Sequence, residues 1–267
     1  MMKNNHINVM IAAVYKAASL IKKEQECLKK IRIYKKELHD IVTETDKKAE
    51  NIIIKHLQVE YPSYDFLTEE QGSIIINNKP SEFRWIIDPI DGTFNYIHGN
   101  PNFAISLALE RRIGSVGVII GAVIHLPLLN ETFFAEQGKG AYQINLDNKK
   151  VKIKVSNRQK FEHLLIAFNF YSCIFATSSM KKILNTIINN NYQVRISGST
   201  VIDLAHIACG KCDLLIHDDL KPWDIAAGIL LIQEAGGIVT DLKGKPASLK
   251  SPSIIATNLR LINRIFR

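Results

Sequence analysis

The chain has few cysteines and no long apolar run, and these absences exclude several classes of protein. Its 267 residues contain four cysteines, too few for a disulfide framework in a chain of this length. One of its longest apolar runs, residues 116–124, is too short and too interrupted by glycine to span a bilayer. The first residues show no basic region followed by an apolar segment and a small-residue cleavage site. We therefore expect a reduced, cytoplasmic protein with no membrane partner.

Several common binding and catalytic signatures are also absent. The sequence contains neither a Walker A string nor a Gly-x-Gly-x-x-Gly fingerprint. The string at residues 198–200, Gly-Ser-Thr, is not the nucleophile elbow of serine hydrolases. Cys209 and Cys212 have metal or redox spacing, but no second pair or nearby histidine pattern completes a zinc site. These observations disfavour P-loop enzymes, dinucleotide-binding enzymes, serine hydrolases and zinc proteins.

The composition is that of a soluble globular protein with a basic charge balance. Hydrophobic residues make up 46% and charged residues 22%, so we do not expect disorder to dominate. The formal net charge of +8 could attract an anionic substrate, RNA or an acidic partner. Lysine, asparagine and isoleucine are abundant throughout, however, and no RNA-binding signature with interleaved aromatic residues is found. Nucleic acid is therefore not the expected partner, although the charge leaves that alternative open.

Apolar periodicity predicts two helices followed by a sheet in the first part of the chain. Residues 8–36 and 47–58 show helical spacing, and Thr45 or Asp46 is placed to cap the second helix. Short apolar segments punctuated by Gly, Pro and Asn then indicate strands of an antiparallel sheet. These segments are residues 66–70, 82–87, 103–110, 117–124, 131–134 and 140–144.

Strands and helices alternate in the second part, which favours a layered α/β arrangement. The polar residues 145–160 are expected to cross between the two parts. Strands are predicted at residues 164–168, 194–196, 214–216 and near Ile254, and helices at 178–189, 200–208, 223–234 and up to Arg267. We therefore predict one domain over residues 1–267, with an N-terminal α+β half at about 1–147 and a C-terminal α/β half at about 148–267.

The most informative segment, residues 85–93, joins an apolar strand to two aspartates and a Gly-Thr pair. Two buried carboxylates three residues apart repel each other, and a bound cation is the simplest remedy. Pro89 stiffens the turn between Asp88 and Asp91, which lets the carboxylates converge. Gly92 allows close approach of a ligand, and Thr93 offers an amide and a hydroxyl. An Asx-type turn is the structural alternative.

Two further acids, Glu69 and Asp224, stand at the end of an apolar strand and the start of an apolar helix. Taken singly, Asp224 could be a helix cap and Glu69 a solvated strand-end acid. Taken with Asp88 and Asp91, they form an all-oxygen ligand set, which selects Mg²⁺ with Mn²⁺ as a substitute. Such ions lower the pKa of a bound water and stabilise a leaving oxygen, as phosphate-ester hydrolysis requires.

With these residues, the chain resembles the inositol monophosphatase family of Mg²⁺-dependent, lithium-sensitive phosphatases. The resemblance covers nearly the whole chain and rests on five segments: residues 40–46, 68–70, 85–98, 198–200 and 223–237. It implies a layered α/β/α/β/α sandwich, a homodimer and a small phosphate ester as substrate. It also implies two or three Mg²⁺ ions in each site.

The resemblance assigns roles to individual residues. The metal ligands would be Glu69, Asp88, the carbonyl of Ile90, Asp91 and Asp224. Glu69 and Thr93 would activate the attacking water, with Asp46 supporting Thr93. The substrate would meet Asp91, Gly92, Thr93, Gly198, Ser199, Thr200, His217 and Asp224, with the phosphate on the Gly92 and Thr93 amides.

Two departures from the family pattern concern the substrate. His217 stands where inositol-specific members tend to carry a glutamate, and Thr68 replaces a glycine before the acidic pair. The string at residues 93–96 nevertheless resembles the inositol branch rather than the branch that cleaves 3′-phosphoadenosine compounds. We therefore expect an inositol-phosphate phosphatase. Fructose-1,6-bisphosphatase or a promiscuous sugar phosphatase is one alternative, and an RNA- or protein-binding accessory factor with secondary phosphatase activity is another.

Overall fold

A computed structural model describes residues 5–27, 32–37, 40–114, 116–145, 147–168, 185, 189 and 192–265. Its helices are α1 (His6–Gln25), α2 (Glu44–Glu60), α3 (Thr93–Ile97), α4 (Thr200–Ala208), α5 (Pro222–Glu234) and α6 (Leu259–Ile265), and Phe161–His163 forms one 3₁₀ turn. Among the described residues, no helix combines the length and the apolar character that crossing a membrane requires.

The strands form a short hairpin and two sheets. The hairpin pairs β1 (Ile33–Glu37) with β2 (Asp40–Thr43). The larger sheet contains β3 (Asp65–Thr68), β4 (Gly72–Ile74), β5 (Phe83–Asp91), β6 (Ala104–Ile113), β7 (Val116–Leu126), β8 (Glu131–Glu136), β9 (Gly140–Ile144) and β10 (Lys150–Lys152). The smaller sheet contains β11 (Leu165–Phe168), β12 (Gln193–Arg195), β13 (Leu214–Asp218), β14 (Gly237–Thr240) and β15 (Ser253–Asn258).

The strand orders position the ends of β3, β5 and β13. The eight-stranded sheet has the order β10-β9-β8-β7-β6-β5-β3-β4 and is antiparallel except for the parallel pair β3–β5. Because these two strands run the same way, their C-terminal ends meet at one edge. The five-stranded sheet has the order β12-β11-β13-β15-β14, with β11 parallel to both of its neighbours.

Three apolar clusters show that the elements stack in five layers. The first cluster joins α1 and α2 to one face of the large sheet through residues such as Met10, Ile53 and Trp85. The second joins the opposite face to α4, α5 and the small sheet. The third covers the outer face of the small sheet with α6, through residues such as Leu261. The predicted layered α/β/α/β/α sandwich is therefore confirmed.

Several predicted boundaries differ from the structure. The first helix ends at Gln25 instead of continuing to residue 36, because the Lys-rich apolar pattern there belongs to the β1–β2 hairpin. Thr43, rather than Thr45 or Asp46, caps α2, and Asp46 completes the capping box as its third residue. The polar residues 145–160 include β10, so the chain leaves the large sheet after Lys152. The helix predicted at residues 178–189 falls mostly outside the described residues, although Asn185 and Asn189 are helical.

Candidate metal centre and active site

The end of β5 and the start of α5 bring three carboxylates together. Asp88, Asp91 and Asp224 each offer an oxygen, and these oxygens lie within 4.8 Å of one another. In a regular strand, side chains three residues apart point to opposite faces. The pairing of β5 with β6 shifts register between Asp88 and Asp91, and this irregularity lets both side chains face the same space. Asp224 meets them from the first turn of α5, as predicted.

Glu69 joins this cluster because β3 lies beside β5. Its backbone N–H donates to the carbonyl of Ile87 at 3.1 Å, which continues the strand pairing beyond Thr68. Its side chain hydrogen-bonds to Asp88 and raises the pKa of that carboxyl. All four acids singled out in the sequence therefore meet at one point.

The electrostatics of the cluster call for a cation. Asp88 is 1% exposed, and burial together with the charges of Glu69, Asp91 and Asp224 raises its pKa well above the usual value. Exclusion from solvent likewise raises the pKa of Asp91, against the effect of its hydrogen bonds. The pKa of Asp224 is raised to about 7 by burial and by the neighbouring Asp91. Ionising all of these groups at neutral pH is unfavourable unless positive charge enters.

A second group of residues links Thr93 to Asp46. The Thr93 hydroxyl lies 3.3 Å from Asp46 Oδ1 and 3.1 Å from the carbonyl oxygen of Ile90. Asp46 is held by the capping box of α2, in which the N–H of Thr43 donates to Asp46 Oδ2 at 2.9 Å. Burial raises the pKa of Asp46 to about 6. Thr93 thus contacts both Asp46, with which the resemblance pairs it, and the carbonyl of Ile90.

Gly92 forms the bend between the aspartates and α3. Its φ of +92° is one that residues with a Cβ rarely adopt. A Cβ there would also lie 3.0 Å from the Asn102 carbonyl oxygen and 3.2 Å from that of Gly198. The first amides of a helix have no partner within that helix, so those of Gly92 and Thr93 are available to an anion.

The remaining predicted substrate residues lie across the cluster on the second sheet and its helix. Ser199 caps α4, and its hydroxyl donates to Asp91 Oδ2 at 2.5 Å. The side chain of His217 reaches α4, where its Nε2 lies 3.1 Å from the Thr200 hydroxyl. Burial lowers the pKa of His217 to about 4, so this imidazole is neutral at pH 7. The departure noted at His217 is therefore a neutral, hydrogen-bonded group in place of a carboxylate.

Two residues that sequence reasoning missed hold the surrounding loops. Glu50 is fully buried and accepts hydrogen bonds from the Glu70 N–H and from Gln71 Nε2, both at 2.9 Å. It lies one helical turn after Asp46 in α2, and this spacing is a signal that could have found it. Asn95 donates to the carbonyl oxygens of Asn102 and Ser197, and nothing in the local sequence indicates these partners.

The donor set fits Mg²⁺. The cluster contains carboxylate oxygens, with the carbonyl oxygen of Ile90 nearby, and its members have neither nitrogen nor sulfur ligands. Hard divalent cations prefer such oxygens, and Mg²⁺ keeps several waters and a substrate phosphate in its coordination shell. The raised pKa values of Asp88 and Asp224 agree with a site whose charge is balanced only when a cation is bound.

Comparison with known proteins identifies the family. The model of the inositol monophosphatase family matches residues 2–266. The inositol-1-monophosphatase of Mesorhizobium japonicum is 35% identical over 94% of this chain and 91% of its own length. The Nus factor SuhB of Vibrio cholerae is 36% identical over 98% of this chain and 94% of its own length.

Solved structures agree with this result. The extragenic suppressor protein SuhB of Bartonella henselae superposes with a TM-score of 0.86 at 34% identity, covering 97% of this chain and 96% of that one. An IMPase of Thermotoga maritima gives a TM-score of 0.81 at 31% identity, covering 96% and 93%. The chain therefore belongs to the inositol monophosphatase family.

Proposed function

We propose that this protein is a Mg²⁺-dependent phosphomonoesterase that hydrolyses inositol monophosphate or a similar small polyol or sugar phosphate. The observation that carries the proposal is the convergence of Glu69, Asp88, Asp91 and Asp224 next to the start of α3. Membership of the inositol monophosphatase family supports the same reaction class. Mn²⁺ is the expected substitute metal.

The residues divide the work as follows. Glu69, Asp88, Asp91, Asp224 and the Ile90 carbonyl would hold the metal ions. When bound, Mg²⁺ would lower the pKa of the attacking water and neutralise charge on the leaving oxygen. The amides of Gly92 and Thr93 would hold the phosphate at the start of α3.

Glu69 would accept the proton of the attacking water, and Thr93 would accept a hydrogen bond that orients it. When the Thr93 hydroxyl donates to Asp46, its oxygen keeps lone pairs that can accept a hydrogen bond from that water. The water oxygen forms a new bond to phosphorus, the ester P–O bond breaks, and the leaving alkoxide takes up a proton from solvent, to which Glu69 returns its own. The products are a free alcohol and inorganic phosphate.

A substrate panel tests this proposal. Purified protein with Mg²⁺ would be assayed against inositol 1-phosphate, glycerol 2-phosphate, fructose 1,6-bisphosphate and 3′-phosphoadenosine 5′-phosphate. We expect phosphate release from the first two substrates, and release that stops when Mg²⁺ is chelated. No turnover of any of the four compounds would contradict the proposal.

The same panel decides the alternative within the enzyme class. The neutral His217, hydrogen-bonded to Thr200, favours a sugar bisphosphatase or a promiscuous sugar phosphatase, because a carboxylate acceptor for polyol hydroxyls is missing there. A marked preference for fructose 1,6-bisphosphate would make that compound, rather than inositol phosphate, the assigned substrate.

Inhibition by millimolar lithium and a dimeric mass in light scattering are further expectations from the family.

A function of another class is favoured by the charge distribution. Residues 1–147 contain 17 Lys and Arg against 18 Asp and Glu, whereas residues 148–267 contain 17 against 8. Lys160, Arg260 and Arg264 line a cavity of about 490 Å³ with Gln159 and Asn263, and none of the described residues lining it is acidic. Relatives from Vibrio cholerae and Escherichia coli are named Nus factor SuhB. A role as an RNA-binding accessory factor is therefore our second candidate.

Binding to single-stranded RNA at low and moderate salt tests the second candidate. The affinity should fall steeply with salt, and Lys160→Glu with Arg260→Glu should weaken it further. Glu162→Gln, which changes a neighbouring charge in the opposite direction, is the control and should not weaken binding. No binding at low salt would exclude this candidate and leave the phosphatase proposal untouched.

A further inference from the structure

Ser199 makes a direct contact with one of the four clustered acids. Its hydroxyl donates to Asp91 Oδ2 at 2.5 Å and accepts a hydrogen bond from the N–H of Ile202 at 3.2 Å. Ser199 is 3% exposed, so water does not compete freely for the hydroxyl. Because a serine hydroxyl has one proton, that proton is committed to Asp91 and is not available to a substrate atom.

A backbone amide of the same helix holds the same oxygen. The N–H of Val201 donates to Asp91 Oδ2 at 2.7 Å, and Val201 is 1% exposed. This amide belongs to the first turn of α4, where N–H groups have no partner within the helix and carry partial positive charge. Two donors therefore fix the rotation of the Asp91 carboxylate through Oδ2.

The chain around Ser199 is fixed against the turn that carries Asp91. Asn95 Nδ2 donates to the Ser197 carbonyl at 2.8 Å and to the Asn102 carbonyl at 2.6 Å. At Gly92, a Cβ would lie only 3.3 Å from Ser199 Cβ, so the two backbones approach closely. Any displacement of α4 relative to α3 would therefore move the donors of Asp91.

We propose that Ser199 is a positioning residue for Asp91 and sets the affinity of the metal centre. This inference rests on the proposed function, because it takes Asp91 to be a metal ligand. Residues that hydrogen-bond to metal ligands orient those ligands, and their loss typically weakens metal binding or activity by about 10- to 100-fold. Ser199 thus acts through Asp91. The start of α4 would orient a metal ligand that lies at the end of β5.

Calorimetric titration of MgCl₂ into metal-free protein tests this role without measuring catalysis. Ser199→Ala removes both the donor to Asp91 and the cap of α4. Ser199→Gly also removes the donor, but glycine is a better cap than alanine, so it provides a variant with a better-preserved helix start. Ser199→Thr keeps a hydroxyl and serves as the rescue. Asn5→Ala, which removes the cap of α1, is the control for loss of a helix cap alone.

We expect Mg²⁺ to bind about 10- to 100-fold more weakly to the alanine and glycine variants, with affinity recovered in the threonine variant. The Mg²⁺ concentration for half-maximal activity should rise in parallel. Asn5→Ala should lower Tm without changing Mg²⁺ affinity.

Three results would contradict this role. Mg²⁺ affinity of Ser199→Ala and Ser199→Gly within twofold of the wild type would overturn it, as would a threonine variant as defective as the alanine variant. In both cases the wild type would still bind Mg²⁺, and the proposed function would stand. A wild-type protein that binds no Mg²⁺ would overturn both the positioning role and the proposed function.

Discussion

The large sheet and the two helices that pack behind it contribute to the site in different ways. The sheet supplies Asp88, Asp91 and Glu69 at the adjoining ends of β3 and β5, within a stretch of the chain shorter than 25 residues. The helices supply Asp224 and the Ser199 hydroxyl from their first turns, more than 100 residues further on. The sheet therefore provides three of the four carboxylates. The helices provide the fourth carboxylate and the hydrogen-bond donors that orient Asp91.

This difference shows how a cluster of acids is made tolerable during folding. Carboxylates on the sheet repel one another, and burial raises the pKa of Asp88 well above its usual value. Helix N-termini bring partial positive charge, and the N–H groups of Val201 and Lys221 donate to Asp91 and Asp224. The helices thus lower part of the electrostatic cost that the sheet creates, and a bound cation is expected to remove the rest.

Asp91→Asn breaks the contribution of the sheet and has the largest expected effect. It removes a carboxylate oxygen of the cluster without changing side-chain volume, so phosphatase activity should fall by about 10³-fold or more, which corresponds to about 4 kcal/mol in the activation barrier. Activity with saturating Mg²⁺ is the measurement. In EDTA, the variant should melt at or above the wild-type Tm, because one of the mutually repelling carboxylates has been removed. Activity above a tenth of wild type would show that Asp91 is not a metal ligand.

Asp203→Asn tests the helix region through its dependence on pH. Asp203 lies in α4, and burial raises its pKa to about 7, against a hydrogen bond from Ser197. An unfolded aspartate ionises near pH 4, so the folded state binds the extra proton between about pH 4 and 7 and loses stability as pH rises through that window. Each unit of pKa difference corresponds to about 1.4 kcal/mol, so the full effect between pH 4 and pH 7 would be about 4 kcal/mol.

The measurement is the free energy of unfolding of metal-free protein at pH 5 and pH 8. Asp203→Asn should lose about 3 kcal/mol less than the wild type over this interval. His125 and His217 have pKa values lowered to about 4 and act in the opposite direction, but they are present in both proteins and cancel in the comparison. Parallel pH profiles for the two proteins would refute the raised pKa of Asp203.

Gly228→Ala tests how tightly α4 and α5 must pack to place Ser199 and Asp224. A Cβ at Gly228 would lie 2.4 Å from Leu204 Cδ1 and 2.7 Å from Leu204 Cβ. Overpacking of this kind costs about 1–3 kcal/mol in the free energy of unfolding. Denaturant unfolding measures the loss, and the double variant with Leu204→Ala should recover part of it. Additive losses in the double variant would argue against direct packing of these two residues.

His217→Glu is expected to change the substrate preference and to leave the metal ligands in place. A carboxylate in this position would accept hydrogen bonds from polyol hydroxyls, so kcat/KM for inositol 1-phosphate relative to fructose 1,6-bisphosphate should rise by about tenfold, or about 1.4 kcal/mol. His217→Gln is the matched control, because the glutamine amide oxygen accepts hydrogen bonds but carries no charge. An unchanged ratio in the glutamate variant would remove His217 from the specificity determinants.

Much of the site could be predicted from sequence because its chemistry is concentrated in short strings. Residues 85–93 contain two aspartates, the glycine that only a tight bend requires and the threonine that starts α3. Asp224 follows Pro222 at the start of an apolar helix, and this is a reliable local signal for a helix N-terminus. The end of α1 was predicted wrongly, because a Lys-rich segment with apolar residues fits either a helix or the β1–β2 hairpin.

The amino-acid sequence alone was enough to identify the residue types of the centre, an oxygen donor set that suits Mg²⁺ and the family to which the chain belongs. Which groups touch became visible only in three dimensions: Ser199 with Asp91, His217 with Thr200, and Asn95 with Ser197. The reason is that local strings fix backbone conformation over a few residues. Contacts across 17 to 108 positions depend on how the layers pack, and no local pattern encodes that packing.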